Sequence, residues 1–297
     1  MTLKLAIVGY GNLGKSLEKE IAKQRDLQLV AIYSRRTLEH AKFRPLEEIS
    51  KYSDCDVALI ALGSYGDILQ YADFYAYLDT VDSFDTHAKI AEYKAHLNAT
   101  KPNRLSVIST GWDPGLLSLV RGVFSVGAHS CATLWGTGVS QGHSNAIRSL
   151  KGVIDAVQFT KPKENALKLV HEGITDGKKL HDRICYVACE QGDKERLQRE
   201  IVNMKNYFEG YDTHVVFCTA AEVARLKQKT EHRGQVVTVG EGFATHSDVS
   251  LDCNTDYTAK IMLEYAKAIP QLKADGYKGA LDVYDIPLRY LAGKELI

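Results

Sequence analysis

The stretch Ala6-Ile7-Val8-Gly9-Tyr10-Gly11-Asn12-Leu13-Gly14 decides the fold. An apolar run from Leu3 to Val8 stops at a glycine turn, and Leu13, Leu17 and Ile21 then recur at helical spacing. The segment therefore reads strand, turn, helix. Within it Gly9, Gly11 and Gly14 match G-x-G-x-x-G in the context that the pattern requires. Gly9 permits the tight turn, Gly11 lets backbone approach a pyrophosphate, and Gly14 lets helix and strand pack closely. The helix opened by Asn12 and Leu13 aims its unpaired N–H groups and partial positive charge at that anion. Such a turn implies a dinucleotide.

The next strand names which dinucleotide. An NAD site places Asp or Glu about 20 residues onward, where the carboxylate accepts hydrogen bonds from the ribose 2′-hydroxyl. Here the apolar run Leu27 to Tyr33 ends in Ser34-Arg35-Arg36. A carboxylate repels a 2′-phosphate, whereas guanidinium groups bind it through charge-assisted, often bidentate contacts. The expectation is NADP(H). Val57 to Leu62 and Leu105 to Ser109 supply further strands, separated by segments compatible with helices. Strands alternating with crossovers make a parallel sheet covered on both faces, a Rossmann-type doubly wound α/β fold. Ligands bind at the carboxyl ends of such strands, which brings Leu62-Gly63-Ser64 to the cofactor groove.

Beyond Gly111-Trp112-Asp113-Pro114-Gly115 the texture changes. Cys131 to Trp135, Ala156 to Thr160, Arg183 to Ala188, His214 to Cys218 and Gln235 to Val239 read as strands, with one clear helix among them around Glu195 to Met204. Helical crossovers are too few for a second doubly wound unit, so an α+β domain with a mixed or antiparallel sheet, helices on one face, is expected. Thr258 to Ile269 reads as a helix closed by Pro270, and Ala280 to Tyr290 as a strand and a short helix that return to the first domain. The expected division is 1–114 with 270–297 for the dinucleotide domain, and 115–269 for substrate binding and dimerisation.

Composition narrows the ligand class. At 297 residues the chain has the length of two domains, and 45% apolar with 25% charged residues is the balance of a folded protein. Basic and acidic residues both total 37, so no overall field draws the chain to nucleic acid or an anionic membrane. The N-terminus runs directly into a strand without a basic region and cleavage site, which reads as cytoplasmic. Six scattered cysteines with no C-x-x-C pair and no histidine cluster at zinc spacing point to buried thiols and no metal.

Two further segments carry carboxylates after strand-like runs of the first domain: Val81-Asp82-Ser83-Phe84-Asp85 and Ser109-Thr110-Gly111-Trp112-Asp113-Pro114-Gly115. One such Asp commonly caps a turn or helix. Two converging near the nicotinamide suit a cationic substrate group, and place Phe84, Asp85, Thr110, Gly111, Trp112, Asp113 and Pro114 along the cofactor.

Taken in order, the glycine turn, Ser34-Arg35-Arg36, Ser109 to Gly115 and Ser140-Gln141-Gly142-His143-Ser144 resemble the meso-diaminopimelate dehydrogenases, and the similarity runs through most of the chain. The resemblance implies an NADP-dependent homodimer of the lysine and diaminopimelate pathway. It would oxidatively deaminate the D-centre of meso-2,6-diaminopimelate, reversibly, to L-2-amino-6-oxopimelate, ammonia and NADPH. It further implies that Asp85, Trp112 and Asp113 line the substrate pocket beside the nicotinamide, that Trp135 packs on the carbon chain, and that Thr160 and Arg183 hold the distal amino-acid end. His232 matches the family's carboxylate-binding histidine and Asn254 a further substrate contact, although the segments around Glu231 to Gln235 and from Gly242 to Ser250 are shorter than in the family. A doubly zwitterionic diacid calls for this mixture, because its ammonium groups need anionic partners and its carboxylates cationic ones. By residue type Asp85, Asp113 and His143 are the candidates to carry the proton. The alternatives are another NADP-dependent oxidoreductase of similar architecture, such as a polyol dehydrogenase or a dihydrodipicolinate reductase, and a non-catalytic NADPH-binding sensor.

Overall fold

The computed structural model describes residues 2–50, 54–64, 67–136, 138–190, 192–228 and 231–291. The chain divides into two compact units, 1–119 together with 255–297, and 120–254.

The first unit is built on β1 (Leu3–Val8), α1 (Asn12–Ile21), β2 (Leu27–Ser34), β3 (Phe43–Pro45), β4 (Val57–Ile60), α2 (Asp67–Gln70), β5 (Thr80–Asp82), α3 (Ile90–Thr100) and β6 (Leu105–Val107). The helix α4 (Leu116–Phe124) leads out of it. Every strand pair is parallel, and the seven strands lie in the order β13-β6-β5-β4-β1-β2-β3, with β13 (Gly279–Leu281) arriving from the C-terminal region. Strand side chains alternate between the two faces. Leu5 and Ile7 therefore join a core beneath α1 and the helix over Asn254–Ala274, with Leu17, Met262, Leu263 and Ile269, while Ala6 and Val8 join Tyr33, Ile60, Tyr93 and Leu97 on the other face. All four of these β1 side chains are fully buried. Burial on both faces explains why the strands read as unbroken apolar runs.

β5 escapes such a reading because it is three residues long with one apolar side chain. It is a strand because it sits between β4 and β6, with Leu59 opposite Val81 and Val81 opposite Val107.

The second unit contains β7 (Ala128–Gly136), α5 (Gln141–Arg148), β8 (Val153–Pro162), α6 (Ala166–His171), α7 (Gly177–Leu180), β9 (His181–Cys189), α8 (Lys194–Val202), β10 (Asp212–Phe217), α9 (Ala220–Lys227), β11 (His232–Gly240) and β12 (Phe243–Leu251). Its strands form a mixed sheet, β10-β9-β8, and an antiparallel one, β12-β11-β7. More helices are present than the sequence suggested, since α5, α6, α7 and α9 join α8. The unexpected β12 is an edge strand with alternating exposure. Its polar alternate residues hide the pattern of a buried strand.

The last helix, α10 (Asn254–Ala274), does not stop at Pro270 as expected but passes through it. Proline removes one N–H from the ladder. Ile269 and Leu272 on either side are buried, however, and this packing carries the helix another turn.

Candidate functional site

In the first unit the chain passes from β1 to β2 and β3 toward one edge of the sheet, then returns to place β4 on the other side of β1. The strand order reverses there, and ligands of open parallel sheets bind outside the carboxyl ends at such a point. A groove of about 430 Å³ lies at this position, lined by Gly9, Gly11, Ser34, Arg35, Arg36 and Gly63 among others.

Its floor requires glycine. Gly9 has φ +98°, and a Cβ there would stand 2.6 Å from the Ala61 carbonyl oxygen. A Cβ on Gly14 would stand 2.3 Å from the Gly9 carbonyl oxygen, whereas one on Gly11 would meet nothing within 4 Å. The turn is thus closed toward the protein and open toward a ligand at Gly11. That residue caps α1 with no side-chain hydrogen bond and no acid in the first turn, leaving helix-terminal N–H groups for an anion.

Ser34 Oγ accepts the backbone N–H of Arg36 at 3.1 Å, and the Arg35 guanidinium lies 5.2 Å from the centre of the Tyr71 ring. The Tyr10 hydroxyl donates to Glu18, whose other oxygen lies 2.8 Å from His40 Nε2. Because Lys42 N–H donates to His40 Nδ1 at 3.1 Å, the proton resides on Nε2 and goes to Glu18. Burial, with the neighbouring Glu18, pushes the Tyr10 hydroxyl up to about 12. Tyr10, Tyr71, Glu18 and His40 were not singled out in the sequence. Tyr10 is an interchangeable position of the glycine pattern, and Tyr71 belongs to a segment without periodicity.

Asp82 is the other omission, and it organises the neighbouring loops. It is wholly buried. Its Oδ1 accepts the N–H groups of Phe84 at 2.9 Å and Ser109 at 3.0 Å, and its Oδ2 accepts the Tyr93 hydroxyl at 2.8 Å. Its backbone oxygen accepts the N–H and the hydroxyl of Thr110, at 2.9 and 2.8 Å. Burial raises its carboxyl above the ordinary range, and these hydrogen bonds and Lys101 act against that rise. Asp85, by contrast, is exposed, with its backbone N–H donated to Ser64 Oγ at 3.1 Å. Phe84 and Thr110 are buried, the former with its ring 4.7 Å from that of Tyr93, so Phe84 can meet a ligand only through its backbone. Trp112 and Asp113 are partly exposed on the loop before Gly115, where a Cβ would stand 1.7 Å from the Gly111 carbonyl oxygen.

In the second unit, Thr160 on β8 stands opposite Arg183 on β9. Arg183 is 7% exposed; its Nη1 donates to Thr160 Oγ1, and its Nε has no hydrogen-bond partner among the described residues. The Trp135 backbone N–H donates to His181 Nε2 at 3.0 Å, and the two rings lie 5.1 Å apart. His181 Nδ1 lies 3.1 Å from the Gly177 carbonyl oxygen, so Nδ1 carries the proton. Burial holds this imidazole down at about 4, which keeps it neutral. His232 is buried with Nε2 2.9 Å from the Val139 carbonyl oxygen, and a second groove of about 900 Å³ runs past His232, Thr160, Lys161 and Asp252. Asn254 begins α10. His143 Nδ1 lies 2.7 Å from Ser140 Oγ, with the edges of Tyr207 and Phe208 against its ring. Among the described residues no group of three or more His, Cys, Asp or Glu side chains is gathered to hold a metal ion.

The Diaminopimelic acid dehydrogenase C-terminal domain family model matches residues 111–256. A meso-diaminopimelate D-dehydrogenase of Acetivibrio thermocellus is 40% identical over 98% of this chain and 95% of its own length. The chain belongs to the meso-diaminopimelate D-dehydrogenase family. Solved structures of similar proteins agree with that placement. The diaminopimelate dehydrogenase of Corynebacterium glutamicum, in complex with diaminopimelate, is 37% identical with a TM-score of 0.91, covering 100% of this chain and 98% of its own. An engineered D-amino acid dehydrogenase bound to NADP+ is 35% identical with a TM-score of 0.89, again covering 100% and 98%.

Proposed function

We propose that this chain catalyses the NADP-dependent oxidative deamination of the D-centre of meso-2,6-diaminopimelate, giving L-2-amino-6-oxopimelate, ammonia and NADPH. The observation that carries the reading is the full-length likeness to a structure solved with diaminopimelate. The chain's own residues support it.

The arginine-lined groove suits NADP(H). Its glycine floor is open at Gly11, its helix terminus is uncapped, and Ser34, Arg35 and Arg36 line it at the end of β2, which suits a 2′-phosphate. NADP+ supplies the acceptor for the hydride that leaves the D-configured carbon. As that hydride departs, the substrate amine becomes an iminium, which water attacks to release ammonia. Asp85 and Asp113 hold the ammonium of the D-centre, and one of them takes the proton that the reaction sheds. Trp112 faces the same end. Trp135 lies along the methylenes, and Thr160, Arg183, His232 and Asn254 receive the distal amino-acid group. Positioning supplies much of the rate, since hydride transfer is the cofactor's chemistry.

We assign the protein to the cytoplasm, in keeping with six free cysteines. Among the described residues no helix is long and apolar enough to cross a membrane. Homodimerisation is part of the proposal, and the exposed Val123, Val126 and Phe243 of the second unit suit such an association.

Purified protein given meso-diaminopimelate and NADP+ should form NADPH and ammonia in equal amounts. Binding of NADPH without any reduction of NADP+ would assign the chain to a sensor, and turnover of polyols in place of amino acids would assign it to another oxidoreductase.

A further inference from the structure

Among the described residues Arg183 is buried with no carboxylate paired to it. Its guanidinium donates to a neutral hydroxyl, that of Thr160, and its carbon lies 4.3 Å from the centre of the Tyr211 ring. A charge removed from water needs a partner. The face of Tyr211 offers only the attraction of its quadrupole, which holds the cation without neutralising it.

We propose that Tyr211 is a positioning residue that holds the Arg183 guanidinium for the distal carboxylate, and so sets the preference for substrates that carry one. The inference rests on the function proposed above and adds a residue to it. A carboxylate in that place would have consumed the guanidinium N–H groups that a substrate needs. A ring engages the cation without consuming its hydrogen-bond donors, so that Nε, which has no partner among the described residues, is left to a carboxylate ligand.

The local fold keeps the ring in place. β10 runs parallel to β9 with Thr213 opposite Arg183, which brings Tyr211, two residues earlier, to the start of β9. Its backbone N–H donates to the carbonyl oxygen of Phe208, a wholly buried residue, at 3.0 Å. Its hydroxyl end faces Gly177, where an added Cβ would lie 3.5 Å from that oxygen and 3.9 Å from Trp135 Cζ3. Tyr211 and Trp135 thus flank one small residue, and a ring at position 211 abuts the wall assigned to the methylenes.

The test is a set of steady-state measurements on the full chain with meso-diaminopimelate and NADP+. In Tyr211→Leu the KM for meso-diaminopimelate rises about tenfold, the size of a desolvated cation–π contact, while kcat and the KM for NADP+ stay within about twofold. Tyr211→Phe keeps the ring and stays near the parent values, which separates loss of the ring from loss of the fold. In an Arg183→Met background, Tyr211→Leu adds no further cost, because Tyr211 acts through Arg183. An unchanged KM in Tyr211→Leu, an equal defect in Tyr211→Phe, or full additivity with Arg183→Met overturns the assignment. A parent enzyme that fails to oxidise meso-diaminopimelate at all instead overturns the function on which it rests.

Discussion

The Asp82 carboxylate accepts the backbone N–H of Ser109 at 3.0 Å, joining the end of β5 to the loop that follows β6. The same oxygen holds Phe84 N–H. One buried acid therefore sets the paths of both segments that carry the acidic candidates Asp85 and Asp113. Asp82→Ala leaves two buried N–H groups and the Tyr93 hydroxyl without their acceptor, at a cost of about 1–3 kcal/mol for each group. The expected outcome is a loss of at least about 3 kcal/mol in denaturant unfolding, together with at least a tenfold fall in kcat/KM for both meso-diaminopimelate and NADP+.

Arg35 and Arg36 make a separable prediction. Each charge-assisted contact to a 2′-phosphate is worth roughly 1.5–3 kcal/mol. Replacing both with serine raises the KM for NADP+ about a hundredfold or more and leaves that for NAD+ nearly unchanged. The comparison of the two coenzymes measures this directly, since a damaged fold would affect both.

Lys101 is 3% exposed, with its ammonium donated to Leu78 O at 2.8 Å and Thr80 Oγ1 at 3.1 Å. Burial holds its pKa down at about 7, against 10.5 for an ordinary lysine, although Asp79 and Asp82 work in the other direction. Between those values the unfolded chain binds a proton that the folded chain does not, so this group makes stability rise with pH from about 7 to about 10. The contribution is at most about 1.4 kcal/mol for each pH unit. Unfolding free energies of Lys101→Met measured across that range should lack this slope relative to the parent.

His181 behaves in the same sense at lower pH. Its folded pKa of about 4 lies below the ordinary 6.5, so its share of the stability is complete above 6.5 and is lost as the pH falls toward 4. Protonation also ends its acceptance of the Trp135 N–H. His181→Gln should flatten the stability profile between pH 6.5 and 4, and urea midpoints of the two proteins over that interval provide the check.

What the sequence disclosed follows from how local each signal is. The β1 to β2 segment is legible because its glycines, its apolar runs and Ser34-Arg35-Arg36 are all encoded within one short stretch, and the structure brings Gly9, Gly11, Ser34, Arg35 and Arg36 onto one groove. Asp82 stands three residues from Asp85, and nothing along the chain distinguishes the buried acid from the exposed one. Its burial comes from tertiary pairing with β4 and β6. β12 was missed because an edge strand with polar alternate residues resembles a loop, and Pro270 misled because packing on both sides outweighs one lost hydrogen bond. Tyr211 lies far in sequence from Arg183, and only the parallel register of β9 and β10 brings them together.

The central claim is that hydride leaves a D-configured carbon of a diamino diacid and goes to NADP+. Initial rates of NADP+ reduction with pure meso- and L,L-diaminopimelate test it most directly. Rapid reduction with the meso isomer and none with L,L, which has no D-centre, is the predicted result. Equal rates with the two isomers would contradict the account.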